Sequence, residues 1–528
     1  MTTPARRWPF APLIILVLLA GLPAAAPTSA AEPLTDNDKA AMLLVAGQRA
    51  WQEKNYPFAV DRFKEFLKAY GGHKDAVLAR YGLGIALVEG PQKDFPAAIE
   101  ALQAPAGKQD FPERAFALYY LGLAQRGLGQ LELDQALAKP AEAEQRRNNA
   151  KQKFAQAEPQ FAAAVAAFAA RAAAPPPAGA TRDPAADLAW TARSRCSHAE
   201  MLLHLGKFAE ARKAVEPLLA DPAQAKSRDR KLAVYQTGYA GFALGEYPAA
   251  GKALASLAPF DAPVFGVHAR YLLARTHHIS EERPEALALY DAVLAGYEQQ
   301  KKDAQTALQN PQTFKDTPDE KTRLETLLKN PAPEYVARSA FYRGILLYEL
   351  NRFADSQATF ATFAQKYPDP ALAKDVQLRL GMTHVQLRQF ADAIRVLQPL
   401  GDYAPLADQA FFWLARAQAR APDPNNAAAV AEGLKQAIDS LRKAAERAQQ
   451  IPADKDPLAK TRRAEILLEM GDTQQQAKQY AEAAGTYLTV VNEKQTPAFV
   501  EQAMERQAVA LQLAGKLKES DDACAKFL

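Results

Sequence analysis

Residues 337–370, ARSAFYRGILLYELNRFADSQATFATFAQKYPDP, and residues 374–407, KDVQLRLGMTHVQLRQFADAIRVLQPLGDYAPLA, are two copies of one pattern. Phe353, Ser356, Phe360, Phe363 and Pro368 recur as Phe390, Ala393, Leu397, Leu400 and Pro405. Gly344 recurs as Gly381 at the same offset of 37 residues. Working outward, the pattern returns as Tyr56, Ala59, Phe63 and Phe66 behind Gly47, and as Phe208, Ala211, Val215 and Leu218 behind Ala199. It returns again as Tyr247, Ala250, Leu254 and Leu257 behind Gly238, and as Tyr480, Ala483, Tyr487 and Val490 behind Gly471.

The spacing has a direct physical reading. A small residue in a first helix lets a neighbour approach closely. A short turn follows, often Gly or Asn beside a charged residue, as in Gly206-Lys207, Gly245-Glu246 and Asn351-Arg352. An aromatic then opens a second helix, and a small residue three positions later sits at the helix crossing. Apolar residues four and seven positions further on share its face. Proline near the end stops the helix. One such hairpin cannot bury its apolar faces alone, so copies must stack. Roughly eleven hairpins account for nearly all of the chain beyond its first segment.

This pattern resembles the tetratricopeptide repeat family, whose helix–turn–helix unit is about 34 residues long. The agreement is best at 337–370 and 374–407 and good at 40–73, 192–225, 231–264 and 464–497. It is weaker at 83–102, where the turn is two residues longer, and in the remaining units. The resemblance implies an all-α fold, a right-handed α-solenoid of stacked hairpins, and a role in protein–protein interaction. The run Phe360, Phe363, Tyr367-Pro368, Ala371, Leu380-Gly381 is further similar to bacterial cell-envelope members of the family, such as those of the Tol–Pal system and of outer-membrane assembly. That similarity implies a periplasmic adaptor or assembly role. The absence of a lipid-attachment cysteine near the leader departs from the assembly lipoproteins.

Composition narrows the classes. Apolar residues make up 48% of 528, too many for a largely disordered chain. A net charge of +4 gives no strongly basic surface, so no nucleic-acid partner is expected. Two cysteines build neither a disulfide framework nor a cysteine-based zinc site.

Arg6 and Arg7 precede an apolar run over residues 11–22, and small residues close the segment at Ser29-Ala30-Ala31. This is the layout of a secretory signal peptide cleaved after Ala31, with Ala26 or Ala30 as alternative sites. The expected location is the periplasm or another exported compartment, with no membrane span once the leader is removed. The expected organisation is a signal peptide at 1–31, N-terminal repeats with a long helical insertion at 32–172, and an Ala/Pro-rich linker at 173–186. Central repeats follow at 187–297, a charged insertion at 298–334 and C-terminal repeats at 335–528. The insertions read as tolerated additions or as partner-binding arms.

A search for chemistry finds no phosphate loop, no His-Glu-x-x-His pair and no nucleophile elbow. Gly82 and Gly84 fall in the repeat register and read as its small residues. The seven histidines read as packing or surface residues, since the adjacent His277 and His278 point to different sides of a helix. Cys196 and Cys524 fall in separate helices, and Cys524, on an apolar position of the last repeat, is expected to be a buried thiol. The expectation is a protein that is not an enzyme, with no cofactor and no metal.

In this family the first helices line a concave groove, with the fifth position of each unit turned to or near it. Here those positions are Tyr81, Tyr119, Cys196, Tyr235, Tyr271, Phe341, Leu378 and Phe412. Tyr239, Phe242 and Tyr348 lie beside them, with Arg126, Arg193, Arg275, Arg338 and Arg416. Tyrosine and arginine dominate binding hot spots, whereas aromatic stripes at helical spacing also serve as core. The candidate partner groove is Tyr235, Tyr239, Tyr271, Arg275, Arg338 and Phe341. The function so read is an exported, non-catalytic scaffold of the bacterial cell envelope that holds a protein or peptide partner in this groove. The alternatives are a self-associating structural component and an accessory helical subunit of a cell-wall or export enzyme.

Overall fold

The computed structural model describes residues 34–175, 183–314, 317–367, 370–493 and 497–527. The expected leader at 1–31 lies outside them, as does the middle of the 173–186 linker. Among the described residues the chain is all-α, with twenty-three α-helices, four short 3-10 segments and no strand. The helices divide into two compact units. One gathers the described residues up to Ala286 together with Ala295–Asn330, and the other gathers Leu287–Leu294 with the described residues from Pro331 onward.

In the first unit the hairpins pair Asp36–Gln52 with Tyr56–Tyr70, Ala76–Glu89 with Phe95–Gly107, and Arg114–Ala138 with Ala143–Ala173. They continue as Pro184–His204 with Phe208–Ala220 and Arg230–Ala243 with Tyr247–Ala255, followed by Gly266–Ile279 and the long Arg283–Leu308. In the second unit the pairs are Glu334–Glu349 with Phe353–Lys366, Pro370–Gln386 with Phe390–Leu397, and Ala407–Arg420 with Ala427–Gln450. Ala459–Gln476 with Tyr480–Glu493 and Pro497–Leu513 with Leu517–Phe527 complete it.

One contact builds most of these hairpins. Gly47, Gly238, Gly344, Gly381 and Gly471 each face a buried side chain of the second helix, respectively Phe63, Leu254, Phe360, Leu397 and Tyr487. A Cβ at any of the five positions would lie 2.4–2.7 Å from that side chain. Gly84 meets Leu102 in the same way across its longer turn. Ala59, Ala211, Ala250, Ala393 and Ala483 are buried at the crossings. Ser356 takes the same place in its hairpin, and its hydroxyl donates to the Gly344 carbonyl at 2.8 Å. The polar atom is thereby satisfied where other copies carry a methyl group.

The turns share a second device. Lys54, Gly206, Gly245, Glu281, Asn351, Arg388, Lys478 and Gly515 all have φ between 58° and 78°. Each stands two residues before a second helix. The following amide reaches back to a carbonyl of the last turn, as in Lys207 N to Leu202 O at 2.9 Å and Arg352 N to Leu347 O at 2.8 Å. This is a Schellman cap, which uses up otherwise orphan carbonyls.

Stacking follows from the leftover apolar faces. Each second helix packs on the next first helix within its unit, and successive first helices also touch in most of the hairpin steps. No contact of similar extent joins successive second helices among the described residues. The first helices therefore lie on the inner side of each stack.

The described residues of 298–334 are mostly helical. The Arg283–Leu308 helix runs through its beginning and Pro318–Lys329 forms a further helix. Ala304, Phe314 and Leu324 join the two in a small separate core. The expectation for Cys524 is corrected: the residue is exposed, whereas Cys196 is buried. Cys524 does occupy the apolar register of the last hairpin, but among the described residues no further hairpin covers that face.

Candidate functional site

The inner face of the first unit is built from first helices, and polar side chains cross from one to the next. The Glu89 carboxylate accepts from Trp51 Nε1 at 3.1 Å and from the Tyr120 hydroxyl. These three residues stand on three successive first helices. Further along, Arg126 Nε donates to Glu200 at 3.0 Å. His204, within 3.9 Å of Glu200, stacks on Phe154 at 4.3 Å. Burial holds the His204 pKa below its ordinary value, against the opposing pull of Glu200.

An aromatic shelf follows on Arg230–Ala243 and Gly266–Ile279. The Tyr235 hydroxyl lies 2.7 Å from His268 Nδ1. The Tyr235 and Tyr239 rings are 6.2 Å apart, and each meets His268 edge-on, at 5.8 and 5.4 Å. His268 stacks on Tyr271 at 5.9 Å, and Phe265 stacks on Tyr235 at 4.9 Å. Burial pushes the His268 pKa down to about 4, so the ring is neutral near pH 7 and one of its nitrogens is free to accept a hydrogen bond. Arg275, one turn beyond Tyr271, lies 3.3 Å from His278.

The structure brings Tyr235, Tyr239 and Tyr271 into one cluster, with Arg275 on the same helix as Tyr271. Arg338 and Phe341 belong to the second unit. There Arg338 Nε donates to Glu334 at 2.7 Å, and Phe341 packs on Tyr342 and Phe360. Of the fifth-position residues, Tyr81, Tyr119, Cys196, Tyr271, Phe341, Leu378 and Phe412 are buried and only Tyr235 is half-buried. That row mainly fills seams inside the stack. Partly exposed inner-face area comes instead from Tyr239, His268 and Arg275.

The other arginines singled out in the sequence are engaged within the stack. Arg126 pairs with Glu200, and Arg416 makes two bonds to Glu469 at 2.9 and 3.1 Å while lying over Phe412 and Trp413. Arg193 lies over Trp190 at 4.9 Å. Sequence reasoning missed the centrality of His268, because an isolated histidine carries no local signature. Its spacing of three from Tyr271 was the available signal, since such residues share a helical face. Among the described residues no group of three metal-binding side chains occurs, and no helix is long and apolar enough to cross a membrane.

The Tetratricopeptide repeat family model matches residues 44–110 and 378–440, one segment in each unit. Over those two segments the chain carries tetratricopeptide repeats, a fold that serves as a protein–protein interaction scaffold and is typically non-catalytic. Solved structures similar to this chain include the apo form of RapI, at 10% identity over 76% of this chain and 99% of that one, with a TM-score of 0.41. Yeast Tom70 is similar at 16% identity over 92% and 100%, with a TM-score of 0.27. The tetratricopeptide repeat domain of P58(IPK) is similar at 15% identity over 83% and 99%, with a TM-score of 0.23. No curated protein matches the chain.

Proposed function

We propose that this chain is an exported, non-catalytic scaffold of the bacterial cell envelope that holds a peptide segment of a partner protein on the inner face of its first unit. The observation that carries the reading is the aromatic shelf of Tyr235, Tyr239, His268 and Tyr271, rimmed by Arg275. Tyr235, Tyr239 and His268 are half-buried on the buried Tyr271 and offer rigid contact area with polar tips, which is the chemistry of interface hot spots. Apolar side chains of the partner lie on the rings, and an acidic group pairs with Arg275. Export rests on the basic, apolar and small-residue segments of the leader.

Two measurements test this reading. Mass spectrometry of the protein from its native host gives an N-terminus near Glu32 if export is correct, and a full-length product contradicts it. Partner affinity and melting temperature are then measured on Tyr239→Ala and Arg275→Ala. Binding weakens in both, by about 2 kcal/mol for a hot-spot tyrosine, and Arg275→Ala keeps its melting temperature. Wild-type binding in both variants contradicts the groove.

A further inference from the structure

The step from one hairpin to the next repeats a set of contacts. The residue seven after the start of a second helix meets the residue two before the crossing glycine or alanine of the next first helix. Phe63 meets Gly82 in this way, where a Cβ would lie 2.5 Å from the Phe63 Cζ. The residues three and four after the start meet the residue two beyond the crossing. Ser356 Oγ lies 3.5 Å from Thr383 Oγ1, and a Cβ on Gly251 would lie 3.2 Å from Thr276 Cγ2. The residue four after the start also reaches the next turn: Arg212 pairs with Glu246, and Gln357 donates to Gln389 at 2.7 Å.

Among the described residues two faces lack one side of this step. On the first helix Asp36–Gln52, Met42, Val45 and Arg49 stand five before, two before and two beyond Gly47. Met42 and Val45 are each 60% exposed, and the Arg49 side chain is 78% exposed. In the hairpins behind Ala199, Gly238, Gly381 and Gly471, each preceded by another second helix of its unit, the residues five before and two beyond the crossing are all buried. On the last second helix Leu517–Phe527, Leu517, Asp521 and Cys524 are exposed. Counterparts of Leu517 that have a hairpin after them, such as Tyr56 and Phe390, are half-buried. Those of Cys524, such as Phe63 and Leu397, are buried. The first helix is a seat without a preceding second helix, and the last helix is a second helix without a seat.

The same contacts, applied between two copies, set Cys524 on Val45 and Asp521 beside Arg49. A small thiol meets an apolar side chain, and a carboxylate meets a guanidinium. Arg49 Nε now donates to Glu53 at 2.8 Å in an exposed pair, which contributes little and is readily exchanged. We propose that these two faces bind each other: the last helix of one copy docks on the first helix of a second copy and continues the hairpin stack from chain to chain. This chain's own last helix matches the seat in register, size and charge. The joint is heterologous, since different surfaces of the two copies meet. It involves no residue of the aromatic shelf and stands or falls independently of it.

Sedimentation velocity on the protein purified from its native host tests the proposal. The average mass rises with concentration towards two or more chains. Val45→Glu places a charge in the joint, Arg49→Asp sets like charges against Asp521, and Asp521→Arg does so against Arg49. Each shifts the midpoint of association upward by about tenfold or more. All three positions are exposed, so the thermal melt by circular dichroism stays that of the parent. An equal mixture of Arg49→Asp and Asp521→Arg regains association, because the unchanged last helix of the first meets the unchanged first helix of the second. A short bis-maleimide joins the parent, through Cys524, to a Val45→Cys, Cys524→Ser variant in a mixture and dimerises neither protein alone. A protein that stays a single chain at every concentration overturns the proposal and leaves the first helix to residues before 34 or to another protein. Association that survives Val45→Glu or Arg49→Asp, a mixture that does not recover, or cross-linking of either protein alone also overturns it.

Discussion

Gly344 lies against the ring of Phe360 so closely that a Cβ on it would stand 2.5 Å from Cζ. Gly344→Ala therefore sets two effects against each other. Alanine favours an exposed helix by up to about 1 kcal/mol over glycine. Overpacking a closed core costs about 1–3 kcal/mol. Phe360 is buried and has nowhere to go, so the steric term wins and the denaturant midpoint of the variant falls. Gly485 is the control, because nothing lies within 4 Å of its added Cβ. Gly485→Ala raises the midpoint by about 0.5–1 kcal/mol. If Gly344→Ala also stabilises, the account of the hairpin crossing is wrong.

The glycine–aromatic spacing made the hairpin fold legible before any coordinates, because 34-residue copies superimpose on a single grammar of sizes. The turns were half legible. Gly206, Gly245 and Asn351 stand out as residues that tolerate positive φ, but Lys54, Glu281, Arg388 and Lys478 adopt the same conformation without that signature. Their geometry is imposed by the helices on either side, which sequence-local rules do not see. The binding face was less legible still. Position five looked like a row of groove aromatics, yet most of that row fills seams between first helices. Whether Tyr271 or Tyr239 keeps exposed surface depends on the size of side chains tens of residues away.

Glu89 ties three first helices through Trp51 and Tyr120. Glu89→Ala removes the carboxylate that Trp51 and Tyr120 share in a mostly buried setting, and costs about 2–4 kcal/mol. Glu89→Gln keeps one carbonyl oxygen and recovers about half of that loss. Thermal melts monitored by tryptophan fluorescence provide the check. A cost below about 0.5 kcal/mol for Glu89→Ala would show that the tie is incidental.

His268 gives the first unit a pH dependence of definite sign. Its pKa is about 4 in the folded chain, set by burial, against an ordinary value near 6.5 in an unfolded one. Between these values the unfolded chain binds the proton and the folded chain does not. Stability therefore falls as pH drops from about 6.5 towards 4, by up to about 3 kcal/mol, and is unaffected by this group above that window. His268→Gln removes this contribution. Urea midpoints for the two proteins, compared at pH 7 and pH 5, show a larger drop for the parent. Equal drops contradict the assignment.

The central claim, that a partner lies on the inner face of the first unit, is tested most directly by site-specific photo-cross-linking in the native host. The cross-linker is placed at Tyr239, half-buried on the aromatic shelf, and separately at Glu216, exposed on the second helix Phe208–Ala220. The account predicts a discrete cross-linked partner from position 239 and none from position 216. Cross-linking from 216 alone, or equally from both positions, would contradict it.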